Sequence, residues 1–164
     1  MSMMTEAQAR AILEKVVKMS VADECTASLD GSTNGNIRFA RNDVSTSGIV
    51  DDVELGVSVA FGKRSGGATI NQFDDESLER CVRRAEELAR LAPENAEFMP
   101  AIDKQAYKPS DTFSASTAAI TPELRAKIAA ESIAASKAQS LVAAGFLEDS
   151  RGFTAFANSK GNFG

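Results

Sequence analysis

Apolar residues recur at every second position in the stretch ending at Phe61: Ile37 and Phe39 alternate with Arg38 and Ala40, and Leu55, Val57, Val59 and Phe61 alternate with Gly56, Ser58, Ala60 and Gly62. A period of two puts one set of side chains on one side of a pleated strand. The chain must therefore build a sheet with one buried face. Asp30-Gly31 and Asn34-Gly35 supply residues that tolerate positive φ, so a hairpin is expected between a strand at 25–29 and one at 36–40. Gly62-Lys63 predicts a further tight turn into 64–71. With 45–50 paired as well, the region reads as an antiparallel meander of about four strands.

Helical spacing flanks these strands. Thr5 and Gln8 form a capping box ahead of a stripe of Ala9, Ile12, Leu13, Val16 and Val17, which ends near Met19 and Ser20. Asp74 or Asp75 caps a second helix with the stripe Leu78, Cys81, Val82, Ala85, Leu88 and Ala89, ending before Pro93. Opposite charges four residues apart, among them Glu79 with Arg83 and Glu86 with Arg90, read as its solvated face.

Residues 93–120 follow neither period, contain Pro93, Pro100 and Pro109, and form a long connection. Phe98, Met99, Tyr107 and Phe113 make it too apolar for a free linker, so much of it is expected to lie packed across a surface. Thr121 and Pro122 then open an alanine-rich helix bearing Leu124, Ile128 and Ile133, expected to pack closely. Strands are expected at 141–148 and 153–158 with a turn at Ser150-Arg151-Gly152, followed by a turn at Asn158-Ser159-Lys160-Gly161. A further strand would normally follow, so the chain reads as the leading part of a longer protein whose last strand pairs with chain beyond Gly164. The partition expected is a module at 1–92, a packed connection at 93–120 and the start of a second subdomain at 121–164. A helix, strand, strand order occurs twice, with Phe39 and Phe156 at matching places, which would suit a repeated unit.

Chemistry is limited by composition, because 164 residues include no histidine. Histidine catalysis and a histidine metal site are thereby excluded. The net charge of −5 opposes binding to nucleic acid, whose affinity comes chiefly from lysine and arginine on phosphates. No apolar run approaches the roughly 20 residues of a membrane span, no signal peptide is evident, and two cysteines do not make a disulfide framework. A cytoplasmic protein with free thiols is expected.

The chemically suggestive residues each have a plain structural reading. Gly62-Lys63-Arg64-Ser65-Gly66-Gly67 lacks the earlier glycine and following helix of a phosphate loop and reads as a hairpin turn. Asp43, Asp51, Asp52 and Glu54 match no calcium-loop spacing and read as solvated carboxylates. Asp74, Asp75 and Glu76 are explained by helix capping and the helix dipole. Cys25 and Cys81 lack a base to activate them as nucleophiles, and Lys137 has Ala134 where a Ser-x-x-Lys pair needs serine. No catalytic, cofactor-binding or metal residue is assigned.

Several stretches in order resemble the N-terminal region of TldD/PmbA proteins: Asn36 to Asn42, Ser47 to Asp52, Leu55 to Val59, Gly66 to Thr69, Asp75 to Leu78, Leu91-Ala92-Pro93, and Phe156 to Gly161 with its Asn-Ser-x-Gly turn. The resemblance implies an α+β fold and a cytoplasmic parent of several hundred residues. Such proteins are known as candidate modulators of DNA gyrase and as metallopeptidases that process or degrade peptides. They act as homodimers or as heterodimers of related subunits. It further implies that any zinc motif, His-Glu-x-x-x-His, lies beyond residue 164, since no histidine here can be matched to it. This stretch is then a non-catalytic part of such a peptidase, helping dimer assembly and walling the substrate cleft. The alternative is a PmbA-like partner or interaction module without a zinc site.

Overall fold

A computed structural model describes residues 4–108 and 110–164. Pro109, read above as part of the connection, lies outside the described residues, as do residues 1–3. The elements are α1 (Glu6–Met19), β1 (Glu24–Ala40), β2 (Asp43–Phe61), β3 (Arg64–Ile70), α2 (Asp75–Leu91), α3 (Ala115–Ala118), α4 (Pro122–Ala138) and β4 (Gly145–Asn158). The strands form one antiparallel sheet in the order β3-β2-β1-β4. The expected α+β class, a largely antiparallel meander with amphipathic helices, is what the chain adopts.

All three anticipated N-caps are present. Thr5 and Gln8 make the reciprocal capping box of α1, and the Asp74 side chain, rather than that of Asp75, accepts from Ser77 N–H at the start of α2. Thr121 caps α4, with Pro122 in the first turn where its missing N–H costs nothing.

The hairpin expected at 30–36 does not form: β1 is one strand of 17 residues running through both dipeptides. Neither Gly31 nor Gly35 has positive φ. Both lack a side chain because another group takes its space: a Cβ on Gly31 would stand 2.3 Å from the Phe153 ring, and one on Gly35 would stand 2.2 Å from the Arg125 guanidinium. The reversal comes instead at Arg41-Asn42, with φ of 54° and 61°, the left-handed pair of a two-residue hairpin turn. Likewise 45–50 and 55–61 are one strand of 19 residues, β2, and the turn expected at Ser150-Arg151-Gly152 lies inside β4. The Gly62 turn is as anticipated, with φ of 56°.

Two compact units divide the chain. The first, here the α2 unit, holds the described residues 4–31, 53–108 and 153–164. Its core follows the alternation in sequence: Cys25, Ala27 and Leu29 from β1 and Leu55, Val57 and Val59 from β2 pack with Leu13, Val16, Leu78 and Val82 from the helices. β3 pairs with β2 from Leu55↔Ile70 to Phe61↔Arg64. Gly66 lets α2 approach β3, since a Cβ there would lie 2.3 Å from the Ala89 backbone nitrogen.

Glu86, read as part of the solvated face, is instead buried at 1% exposure. Its carboxylate accepts from Val21 N–H at 2.7 Å, the Ser20 hydroxyl at 3.0 Å and Arg83 at 2.8 Å, fastening α2 to the turn after α1. Arg80 with Glu76 and Arg83 with Glu79 stand in solvent as expected, while Glu87 pairs with Arg84.

The second, here the α4 unit, holds Ser32–Asp52 and Ser110–Gly152. Asn42, at the hairpin turn, fixes the chain entering β4: its side chain accepts from Ala143 N–H at 2.7 Å and donates to Leu141 C=O at 3.0 Å. α4 buries only a narrow face, Arg125, Ala129 and Ile133, while Leu124 and Ile128 remain 41% and 39% exposed.

The long connection does not pack along its whole length. Its part in the α2 unit is docked, with Ala101 N–H donating to Glu24 and Tyr107 set edge-on against Phe156 at 5.5 Å between ring centroids. Met99 and Phe113 are exposed, contrary to expectation.

Candidate functional site

In the α2 unit a cleft of about 570 Å³ opens between the first turns of α1, residues 105–108 and the end of β4. One buried amide holds its wall together. Asn162, 2% exposed, accepts Gln105 N–H at 2.7 Å on its side-chain oxygen and donates its amide nitrogen to Ile102 C=O at 3.1 Å. The turn anticipated at 158–161 brings it there: Gly161 has φ of 79°, Asn158 accepts Asn162 N–H, and Ala157 bridges Phe163 in antiparallel fashion.

Arg10 supplies a cation at the rim, its guanidinium 3.7 Å from the Phe163 ring centroid and paired with Glu6 and Glu14 at 3.3 and 3.6 Å. Lys108, Tyr107, Met4 and Phe153 complete a lining that is apolar with cationic and hydroxyl groups at its margin. Such a surface can hold a ligand by burial and by charge.

The α4 unit has a smaller cleft of about 230 Å³ with Arg125, Asp149, Arg151 and Asp51 in its lining. Arg125 is 2% exposed and donates to Asp149 at 2.5 Å, while its Nε has no hydrogen-bond partner among the described residues. Arg151 donates to Ala118 C=O at 3.3 Å. Two arginines against two aspartates leave this cleft balanced in charge.

The residues singled out in the sequence are dispersed. Cys25 is buried, and burial pushes its thiol up to about 11, the Ser20 hydroxyl countering and Glu86 adding to the rise. Burial also raises Cys81, on the inner stripe of α2. Gly62 N–H donates to Asp23, and the following residues enter β3 rather than a helix. Asp43 and Asp52 lie near opposite ends of the first half of β2, and Asp51 accepts from the Thr33 hydroxyl at 2.6 Å. Lys137 stands in the last turn of α4.

Among the described residues no three of His, Cys, Asp and Glu converge as a metal-binding group. The zinc implied by the resemblance does not fit this chain's donor set, which offers no imidazole and only buried, protonated thiols. No helix among the described residues is long and apolar enough to cross a membrane.

Sequence reasoning missed Asn162, Arg125 and Glu86, the polar groups that organise these regions. Their only signal would have been a polar residue at a position facing the core. Asn162 follows a turn, and α4 has too little amphipathic contrast to show which face carries Arg125.

Comparison with known proteins agrees with the family resemblance. Residues 26–89 match the model of PmbA/TldA metallopeptidase domain 1. No curated protein matches the chain. Among solved structures, TldE from Thermococcus kodakarensis superposes with a TM-score of 0.81 at 15% identity, over 93% of this chain and 35% of that one. A candidate modulator of a DNA gyrase from Thermotoga maritima gives 0.72 at 12% identity, over 86% of this chain and 32% of that one. A candidate modulator of DNA gyrase from Bacteroides thetaiotaomicron gives 0.72 at 16% identity, over 95% and 37%. At these identities the superpositions establish a shared fold, and the chain spans about a third of the length of these structures. Over residues 26–89 the chain is similar to PmbA/TldA metallopeptidase domain 1, the same family that its sequence resembles.

Proposed function

We propose that this chain is the non-catalytic N-terminal part of a TldD/PmbA-type metallopeptidase that processes or degrades peptides in the cytoplasm. In this reading it contributes to dimer assembly and to the wall of the substrate cleft, while zinc chemistry belongs to other residues of the parent. The observation that carries the reading is the match of residues 26–89 to a metallopeptidase domain 1. The absence of histidine from the sequence and the raised thiols of Cys25 and Cys81 support a scaffold role for these residues.

The test is to express the whole reading frame that contains this chain and measure its mass in solution and its cleavage of an unstructured peptide. A dimer whose cleavage depends on a His-Glu-x-x-x-His segment outside these residues is expected. If the frame lacks that segment and cleaves only when a related subunit bearing it is added, the partner-subunit reading replaces the peptidase one. A monomer inert under both conditions contradicts both.

A further inference from the structure

β2 pairs with β3 only from Leu55 onward. Residues 43–52, which belong to the α4 unit, pair with β1 on one side, and among the described residues no strand occupies the other. All ten are exposed, and the sequence Asp43-Val44-Ser45-Thr46-Ser47-Gly48-Ile49-Val50-Asp51-Asp52 contains neither proline nor a basic residue. Val44, Ile49 and Val50 are 45%, 54% and 56% exposed. Protein edges are normally blunted by lysine, proline, a bulge or a covering element, because unpaired N–H and C=O groups recruit another strand. This edge has about 33 Å of extended backbone and β-branched side chains, with a carboxylate near each end.

The charges discriminate between occupants. A second copy added antiparallel about the middle of the edge would bring acidic ends together, and directly opposed like charges are destabilising. A strand with basic ends meets Asp43 at one end and Asp52 at the other.

We infer that the open edge of β2 at residues 43–52 binds an extended polypeptide segment that carries Lys or Arg at both ends of a β-branched centre, adding it to the sheet as a strand. Backbone hydrogen bonds would supply affinity, and alternate side chains and the terminal charges would supply register. The inference is independent of the peptidase reading, which could fail with this surface intact.

The test uses the 164-residue chain and a fluorescent ten-residue probe with Lys at each end and alternating Val and Thr between. Saturable binding is expected, with backbone amide shifts concentrated at residues 43–52. A probe with Glu ends, and one N-methylated through its centre, should each bind at least tenfold more weakly. Asp43→Lys with Asp52→Lys should weaken the basic probe at least tenfold while leaving circular dichroism and urea unfolding unchanged. Should that variant misfold, the two altered probes decide the question on the unmodified chain. Failure of the basic probe to bind, or equal binding of all three probes, would overturn the inference. So would a dimer of the chain alone that Val44→Lys with Val50→Lys dissociates, because the occupant would then be a second copy.

Discussion

The guanidinium of Arg125 stands where Gly35 would carry a side chain: its Nη1 lies 2.2 Å from an ideal Cβ on that glycine. Arg125 is buried and its charge is met by Asp149 at 2.5 Å. It cannot withdraw without breaking its pairing with the half-buried Asp149.

Gly35→Ala should therefore destabilise the chain by about 1–3 kcal/mol, the usual cost of overpacking an enclosed site. Because the methyl group and the guanidinium compete for one space, Gly35→Ala should cost much less in an Arg125→Ala background. Urea unfolding of the two single variants and the double variant checks this, and additive losses would contradict it.

Glu86 makes stability depend on acid. Burial alone would raise its carboxyl, but the Val21 N–H, Arg83 and the Ser20 hydroxyl outweigh burial and hold it below its ordinary value of 4.5. A carboxyl depressed in the folded state contributes stability that is present above the unfolded value and lost as pH falls through the folded one. Glu86→Gln should cost about 1–3 kcal/mol at pH 7 and flatten the loss of stability below pH 4.5. Urea midpoints of both proteins at pH 7 and pH 3.5 measure it. Equal differences at the two pH values would show that Glu86 is not the titrating group.

Cys25 is held protonated by burial up to about 11. A thiol raised in the folded state favours folding below its unfolded value, near 9.0, and that contribution is lost as pH rises toward 11. Native chain at pH 8 should leave Cys25 and Cys81 unlabelled by a thiol-reactive dye, and both should react at once in urea. Selective labelling of native Cys25 would contradict its burial and reopen a nucleophilic role.

What could be read from the sequence was whatever a period or a cap encodes. Leu55, Val57 and Val59 announced a buried face, and Thr5, Asp74 and Thr121 stand where their helices begin. Dipeptides with glycine were misleading because glycine serves two needs. At Gly62 it adopts positive φ, whereas at Gly31 and Gly35 it makes room for Phe153 and Arg125, partners more than 80 positions away that no local pattern reveals. The same long-range dependence hid Glu86, whose spacing from Arg90 suits a solvated pair but whose carboxylate reaches Ser20 and Val21. The docking of residues 101–107 on Asn162 was hidden for the same reason.

The role proposed for these residues is to support a peptidase without performing its chemistry. It is tested most directly by incubating the purified 164-residue chain with zinc and an unstructured peptide, and following cleavage by mass spectrometry beside the protein from the whole reading frame. An intact peptide is expected with the chain alone, and cleavage that a chelator suppresses with the longer protein. Cleavage by the 164-residue chain that persists in its purest fractions would contradict it.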